Sequence, residues 1–314
     1  MIFLANILIE ITNFKGELAA LGAAFLWAIA SVVYGRLGRQ IPPLELNFLK
    51  GIVAIALLIL TLLYSGQLLP EINSTALTLL LLSGGLGIGI GDTAYFAAIN
   101  YLGPRRTLIL ETLAPPLAAL LALIFLQEKL SSASWCGILL TILGVAWVVT
   151  ERLPNSTPNT THLTVRGISW GMLAAVSQAN GAVLSRAALA QSSISPLWST
   201  LVRLGAGVLV LVVWLLLKGK QQKSPESAST FKILQSWQVL GAIALTSFFS
   251  TYLGIWLQQT SLKFAPVGIA QTLTSTSPLF VLPLVILMGE TVSSRAILGA
   301  LIALGGVGLL FSLQ

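Results

Sequence analysis

The sequence predicts an all-α integral membrane protein with ten transmembrane helices, arranged as two inverted five-helix repeats. Three observations carry that prediction. Hydrophobic residues make up 56% of the 314 and charged residues only 9%, against roughly 25% charged in a soluble domain. Most of the chain divides into unbroken apolar runs close to the length of about 20 helical residues that a hydrocarbon core demands. Residues 104–145 also recur 162 positions later as 266–307, with 13 of 42 positions identical. The identities include Pro104/Pro266, Thr112/Thr274, Pro116/Pro278, Glu128/Glu290, Gly137/Gly299 and Gly144/Gly306. Apolar composition alone would not align these residues. A weaker echo matches Pro43-Leu44 before Lys50 with Pro196-Leu197 before Arg203. Strands are excluded, because the runs do not alternate and an open sheet cannot satisfy its backbone in lipid.

The elements follow in order. Residues 1–15 are an N-terminal lead-in, apolar but short, carrying Glu10 and lacking the basic start and small-residue cleavage site of a secretory signal. The first repeat, 16–150, holds spans near 17–36, 46–64, 75–100, 104–127 and 134–150. A linker rich in Asn, Thr and Pro occupies 151–165. The second repeat, 166–314, holds spans near 166–187, 196–218, 238–262, 266–288 and 294–313, with a polar loop at 218–237. An odd number of spans per repeat makes the second copy enter the membrane in the opposite sense, which is the inverted arrangement. The one cysteine, Cys136, lies in an apolar span, so there is no intrachain disulfide framework.

The net charge of +7 reflects topology rather than a nucleic-acid partner. Loops after the odd-numbered spans carry 11 Lys and Arg, and the termini with the other loops carry 4. The positive-inside rule places the 11-residue set in the cytoplasm and both termini outside.

Ionisable residues inside the spans are the candidates for function, since each costs at least several kcal/mol at mid-bilayer unless paired or hydrated. They are Lys50, Asp92, Glu111 and Arg203. Asp92 ends the run Gly-Gly-Leu-Gly-Ile-Gly-Ile-Gly-Asp, whose glycines admit a close neighbour. Tyr95 and Phe96 follow on its face. Asp92 reads as a proton carrier or a ligand for a cationic group, or as one half of an ion pair with Lys50 or Arg105. Glu111 stands one turn before Pro115, where the missing N–H frees a carbonyl. Its repeat counterpart is Leu273, which favours a function specific to one half over an ion pair with Lys50 or Arg106. Lys50 and Arg203 lie near enough to helix starts to snorkel to the interface. Within a site they would supply charge balance or hold a substrate carboxylate.

Opposite Glu111 the chain offers Gln271, Thr272, Thr274, Ser275, Thr276 and Ser277. Gln271, Thr274 and Ser275 share a helical face. Interhelical glue, with hydroxyls bonded back to carbonyls one turn earlier, is the bland account of them. Trp27, Gln178, Asn180 and Gln258 complete the candidate lining, in which the first, third, fourth, sixth, eighth and ninth spans surround a cavity. Glu128 and Glu290 end their spans and read as structural.

The stretch YFAAINYLGPRRTLILETLAPPLAALLALIFLQEKLSSASWCGILLTILGV, with its second copy QQTSLKFAPVGIAQTLTSTSPLFVLPLVILMGETVSSRAILGALIALGGV, resembles the EamA domain of the drug/metabolite transporter (DMT) superfamily. The marks are the mid-helix proline, the Glu that ends that helix, the glycine-spaced helix after it, and a basic residue early in the second helix of each half. The resemblance implies a ten-helix carrier of small metabolites with a central cavity between the halves. It also implies both termini in the cytoplasm, opposite to the loop count.

Competing classes lose ground on residue counts. Gly89-Ile90-Gly91-Asp92 spells the GxGD signature of intramembrane aspartyl proteases, whose chemistry needs two carboxylates, and Asp92 is the only aspartate. The sole histidine, His162, lies in the linker, so neither a triad nor a metal cluster is available. No Walker motif is present. The expectation is therefore a secondary transporter rather than an enzyme, with no cofactor and no metal. It exports small metabolites or amphipathic compounds such as amino acids or drugs by alternating access, coupled to protons. A non-transporting membrane scaffold, or an integral-membrane enzyme acting on a lipid-like substrate, is the alternative. The expected partners are a small-molecule substrate, protons and membrane lipids, with no nucleic acid. The chain is expected as a monomer or homodimer in a bacterial plasma (inner) membrane.

Overall fold

The computed structural model describes residues 14–37, 41, 43–66, 73–102, 104–150, 165–190, 192–221, 236–287 and 293–312. The lead-in up to residue 13, most of the linker, the core of the 218–237 loop and Glu290 lie outside the described residues. Among those described, every regular element is helical.

The helices are α1 (Lys15–Leu37), α2 (Pro43–Tyr64), α3 (Ser74–Leu102), α4 (Pro104–Glu111), α5 (Ala114–Leu121), α6 (Ser132–Thr150), α7 (Val165–Leu189), α8 (Pro196–Gln221), α9 (Trp237–Phe264), α10 (Val267–Thr274), α11 (Ser277–Leu287) and α12 (Ser294–Ser312). Seven helices among the described residues are long and apolar enough to cross a membrane. The seven include the α4–α5 segment over Thr107–Leu126 and leave out α1, α7 and the interrupted α10–α11 pair; α7 is diluted by Gln178, Asn180 and several serines and glycines. α8 runs to Gln221, three residues past the predicted end at 218.

The two interruptions share one cause. Pro115 and Pro116 lack the N–H groups that would continue the ladder, and the chain turns at Thr112 and Leu113 between α4 and α5. Pro278 stands where Pro116 stands in the repeat, and the turn recurs at Ser275 and Thr276. Widened π-helical turns also recur. Gly85–Gly91 within α3 and Ser247–Leu253 within α9 are seven residues each, and the second begins 162 positions after the first.

The exterior is apolar and the interior small or polar, the reverse of a water-soluble protein. Leu60, Leu143, Leu209, Leu216, Leu301 and Leu304 are all more than half exposed, as a lipid-facing belt requires. Inside, alanines such as Ala118, Ala122, Ala179 and Ala182 form the largest core cluster, because close helix packing in lipid depends on small residues. α6 and α12 make the tightest pair. A Cβ added to Gly144 would stand 2.6 Å from the Gly299 carbonyl, and one on Gly299 would stand 3.1 Å from the Gly144 carbonyl. Gly137 and Gly306 face each other in the same way, at 3.1 and 2.8 Å. Gly137 and Gly144 repeat as Gly299 and Gly306, so the contacts map onto each other under a local two-fold that crosses the helix axes.

The same exchange arranges the interior. α1 packs on α9, with Gly16 against Ala265 and Gly22 against Leu257. α7 packs on α3, where Ser83 Oγ donates to the Gly181 carbonyl at 2.6 Å and contacts Ser185 Oγ at 2.8 Å. The first helix of each half therefore rests on the π-turned helix of the other half.

Candidate functional site

A cavity of about 220 Å³ lies between the halves beside both π-turns. α1 contributes Trp27 and Ala30, α2 contributes Asn47, Lys50 and Gly51, and α3 contributes Ile88 and Asp92. From the second half come Gln178 of α7, Arg203 and its neighbours on α8, and Ser250, Thr251, Ile255 and Gln258 of α9.

Asp92 is the first residue after the π-turn of α3, and Gln178 Nε2 donates to its Oδ1 at 3.1 Å. Its repeat counterpart is Gly254, the first residue after the π-turn of α9. There the partner from the opposite half is Trp27, whose indole Nε1 donates to the Ser250 carbonyl at 2.9 Å. A π-turn shifts carbonyls out of the regular ladder and is found most often at functional sites. Here one such carbonyl is taken by an indole from another helix.

Arg203 is 2% exposed, and Nη1 donates to Gln258 Oε1 at 3.2 Å. The glycines before Asp92 explain how so large a side chain fits. The Gly84 backbone lies directly on the Arg203 carbonyl, and a Cβ on Gly87 would stand 2.9 Å from Nη2. One on Gly181, arriving from α7, would be 3.4 Å from the same nitrogen. A guanidinium held this way does not snorkel, which departs from the interfacial expectation for Arg203. Lys50 also faces the cavity and lies 5.9 Å from the Phe96 ring centroid, within range of a cation–π contact.

The other predicted residues lie elsewhere. Glu111 ends α4 behind the cavity wall, close enough to Asp92 for their charges to interact, and its buried Oε1 has no hydrogen bond. Tyr95 stacks edge-on against Phe96, with ring centroids 5.7 Å apart, outside the cavity lining. Asn180 donates to the Val176 carbonyl of its own helix at 2.8 Å. Thr274 Oγ1 bonds the Gln271 carbonyl and Ser275 Oγ the Thr272 carbonyl, at 3.0 and 2.7 Å. Thr272 and Thr276 bond back in the same manner. The hydroxyls of Thr272, Thr274, Ser275 and Thr276 are therefore satisfied within their own helix, as the bland account has it, while the buried Gln271 Nε2 has no hydrogen bond. The expected ring of lining helices changes accordingly. Among the described residues the fourth and ninth predicted spans contribute nothing to the lining, and the second and seventh contribute Lys50 and Arg203.

Sequence reasoning missed Asn47, which is 5% exposed and lines the cavity one turn before Lys50. It also missed the reach of Glu128. Beyond the left-handed Gln127, with φ 56°, Glu128 Oε1 pairs with Arg186 Nε at 2.6 Å and Oε2 accepts from the Val267 N–H at 3.0 Å. Arg186 Nη1 in turn bonds the carbonyls of Leu262 and Lys263 at 3.0 and 2.7 Å. One acid and one base thus tie the end of α5 to the last turns of α7 and α9 and the first turn of α10.

The EamA-like transporter family profile matches residues 14–150 and 165–312, one copy in each half. Two Bacillus subtilis (strain 168) proteins are similar to this chain. The uncharacterized transporter YxxF is 28% identical over 195 residues, 60% of this chain and 61% of that protein's length. The uncharacterized transporter YyaM is 26% identical over 274 residues, 82% of this chain and 80% of its own. A protein of known crystal structure superposes with a TM-score of 0.73 at 18% identity, covering 95% of this chain and 97% of that one, which shows a shared fold. With two copies of the profile spanning its apolar helices, the chain is a multi-pass membrane protein that belongs to the EamA-like transporter family.

Proposed function

We propose that this chain is a secondary exporter of small metabolites or amphipathic compounds, such as amino acids or drugs, in a bacterial plasma membrane. It works by alternating access, with ten spans in two inverted repeats. The observation that carries the reading is the cavity between the halves, in which Asp92, Lys50 and Arg203 converge inside an apolar shell. Charged groups are retained inside a membrane chiefly where they pair or line a pathway. The lining comes from both halves, and each π-turned helix is clasped by the other half, so a rocking motion would reshape both walls together. Asp92 binds a proton or a substrate amino group, and Glu111 behind it is the second proton site. A non-transporting scaffold has no use for a polar cavity at this depth. Aspartyl-protease chemistry would need a second carboxylate beside Asp92, and none lines the cavity among the described residues.

A thermal-shift screen of the purified protein against amino acids, polyamines, nucleosides and cationic drugs tests this reading, because a ligand that binds only the folded state raises apparent stability. A ligand whose stabilisation disappears in Asp92→Asn is the expected result. Stabilisation by none of the four classes would contradict it.

A further inference from the structure

The unsatisfied groups of the cavity are donors. Trp27 gives its N–H to Ser250, Asp92 accepts from Gln178, and Gln258 accepts from Arg203 Nη1. Arg203 Nε is a buried lining atom left without a hydrogen bond, whereas Asn47 Nδ2, which makes none within 3.5 Å, faces the Asp92 carboxylate. The Arg203 Nε–H can only donate. Buried donors almost always find an acceptor, and a buried guanidinium needs a compensating charge as well. Among the described residues no carboxylate stands within 4.0 Å of Arg203, and the ion pair found joins Glu128 to Arg186 instead. Gly87 and Gly181 lie against the guanidinium. Arg203 is therefore held at the cavity wall with its Nε–H unused.

We propose that Arg203 is the receptor for a carboxylate on the transported compound. This deepens the transporter reading above and rests on it. The chemistry favours a carboxylate over a phosphate. The Asp92 carboxylate shares the cavity with Arg203, and it repels a phosphate dianion more strongly than a monoanionic group. A protonated amine on the same compound can still reach Asp92, but an amine without a carboxylate leaves Arg203 Nε as it stands. The requirement is thus for the acid, whatever else the compound carries.

The test uses the full chain in detergent and four side groups: methyl, isobutyl, benzyl and indolylmethyl. Each is presented as the amino acid, as its carboxamide and as the decarboxylated amine, with inorganic phosphate as a further probe. The expected result is that at least one acid raises the unfolding temperature and binds at least tenfold more tightly than its own amide and amine. Arg203→Lys, which keeps the charge but loses the planar fork, is expected to cut that preference to under threefold. An amide or amine that binds as well as its acid, phosphate that binds in preference, or the absence of binding by every acid would each overturn the proposal. The wild-type series decides the matter if the variant fails to fold. Acids that bind through Arg203 but never cross a vesicle membrane would remove the carrier reading and leave the receptor. Saturable flux of amines, unchanged in Arg203→Lys, would do the reverse.

Discussion

Asp92 and Gly254 occupy the same position of the two halves, 162 residues apart, each directly following a π-turn and each touched by the first helix of the opposite half. Gln178 bonds the Asp92 carboxylate, and the Trp27 indole lies against the bare Gly254 backbone. The scaffold is symmetric and its chemistry is not. A duplicated fold supplies two equivalent π-turns, and the acid is placed at one of them.

Asp92→Asn keeps the shape and the Gln178 contact but removes the titrating group. Uphill transport is expected to fall at least tenfold and its dependence on external pH to flatten, read by uptake into vesicles with an imposed proton gradient. Glu111→Gln is expected to weaken the pH dependence with less effect on binding, since Glu111 lies outside the lining. Unchanged uphill transport and pH response in both variants would rule out proton coupling through these acids.

Gly87→Ala pushes a methyl against Arg203 Nη2. Overpacking of this kind costs about 1–3 kcal/mol. The expected signature is loss of substrate affinity together with a lowered unfolding temperature, whereas Gly205→Ala, whose added Cβ meets nothing within 4 Å, should change neither.

The α6–α12 seam predicts that mutational damage follows the repeat. Gly144→Ala and Gly306→Ala should destabilise by similar amounts, and both by more than Gly137→Ala and Gly299→Ala. In the first pair an added Cβ comes within 2.6 to 2.8 Å of a facing carbonyl, and in the second pair within 3.1 Å. Unfolding of the four variants in one detergent checks the order. Damage confined to one helix would contradict the two-fold.

Glu128→Gln and Arg186→Ala each break a tie that is about 16 to 18% exposed. Its worth lies between that of exposed and fully buried pairs, about 1–3 kcal/mol. A double-mutant cycle should give a coupling in that range, and additive losses would show that the two side chains act independently.

Much of this architecture was legible in the sequence because repeats and charges survive in one dimension. Gly137, Gly144, Gly299 and Gly306 were visible as duplicated glycines, and Asp92 as an aspartate inside an apolar run. What hydroxyls bond to is not written in composition. Thr274 and Ser275 looked like a lining, and their hydroxyls are instead bonded to carbonyls three residues back. The π-turns left no mark of their own, since Gly85–Gly91 and Ser247–Leu253 share position but hardly any residues. Lys50 and Arg203 were legible as charges, but the direction of Arg203 depended on glycines of other helices. The Glu128–Arg186 tie joins residues 58 apart, with no local pattern to announce it.

The most direct test of the central claim is flux. Purified protein is reconstituted into vesicles, and uptake of a radiolabelled compound that stabilises the protein is measured against concentration, for wild type and Asp92→Asn. The cavity account predicts saturable uptake in the wild type and at least a tenfold loss in the variant at equal protein content. Uptake that rises linearly with concentration, or that is the same in both proteins, would contradict it.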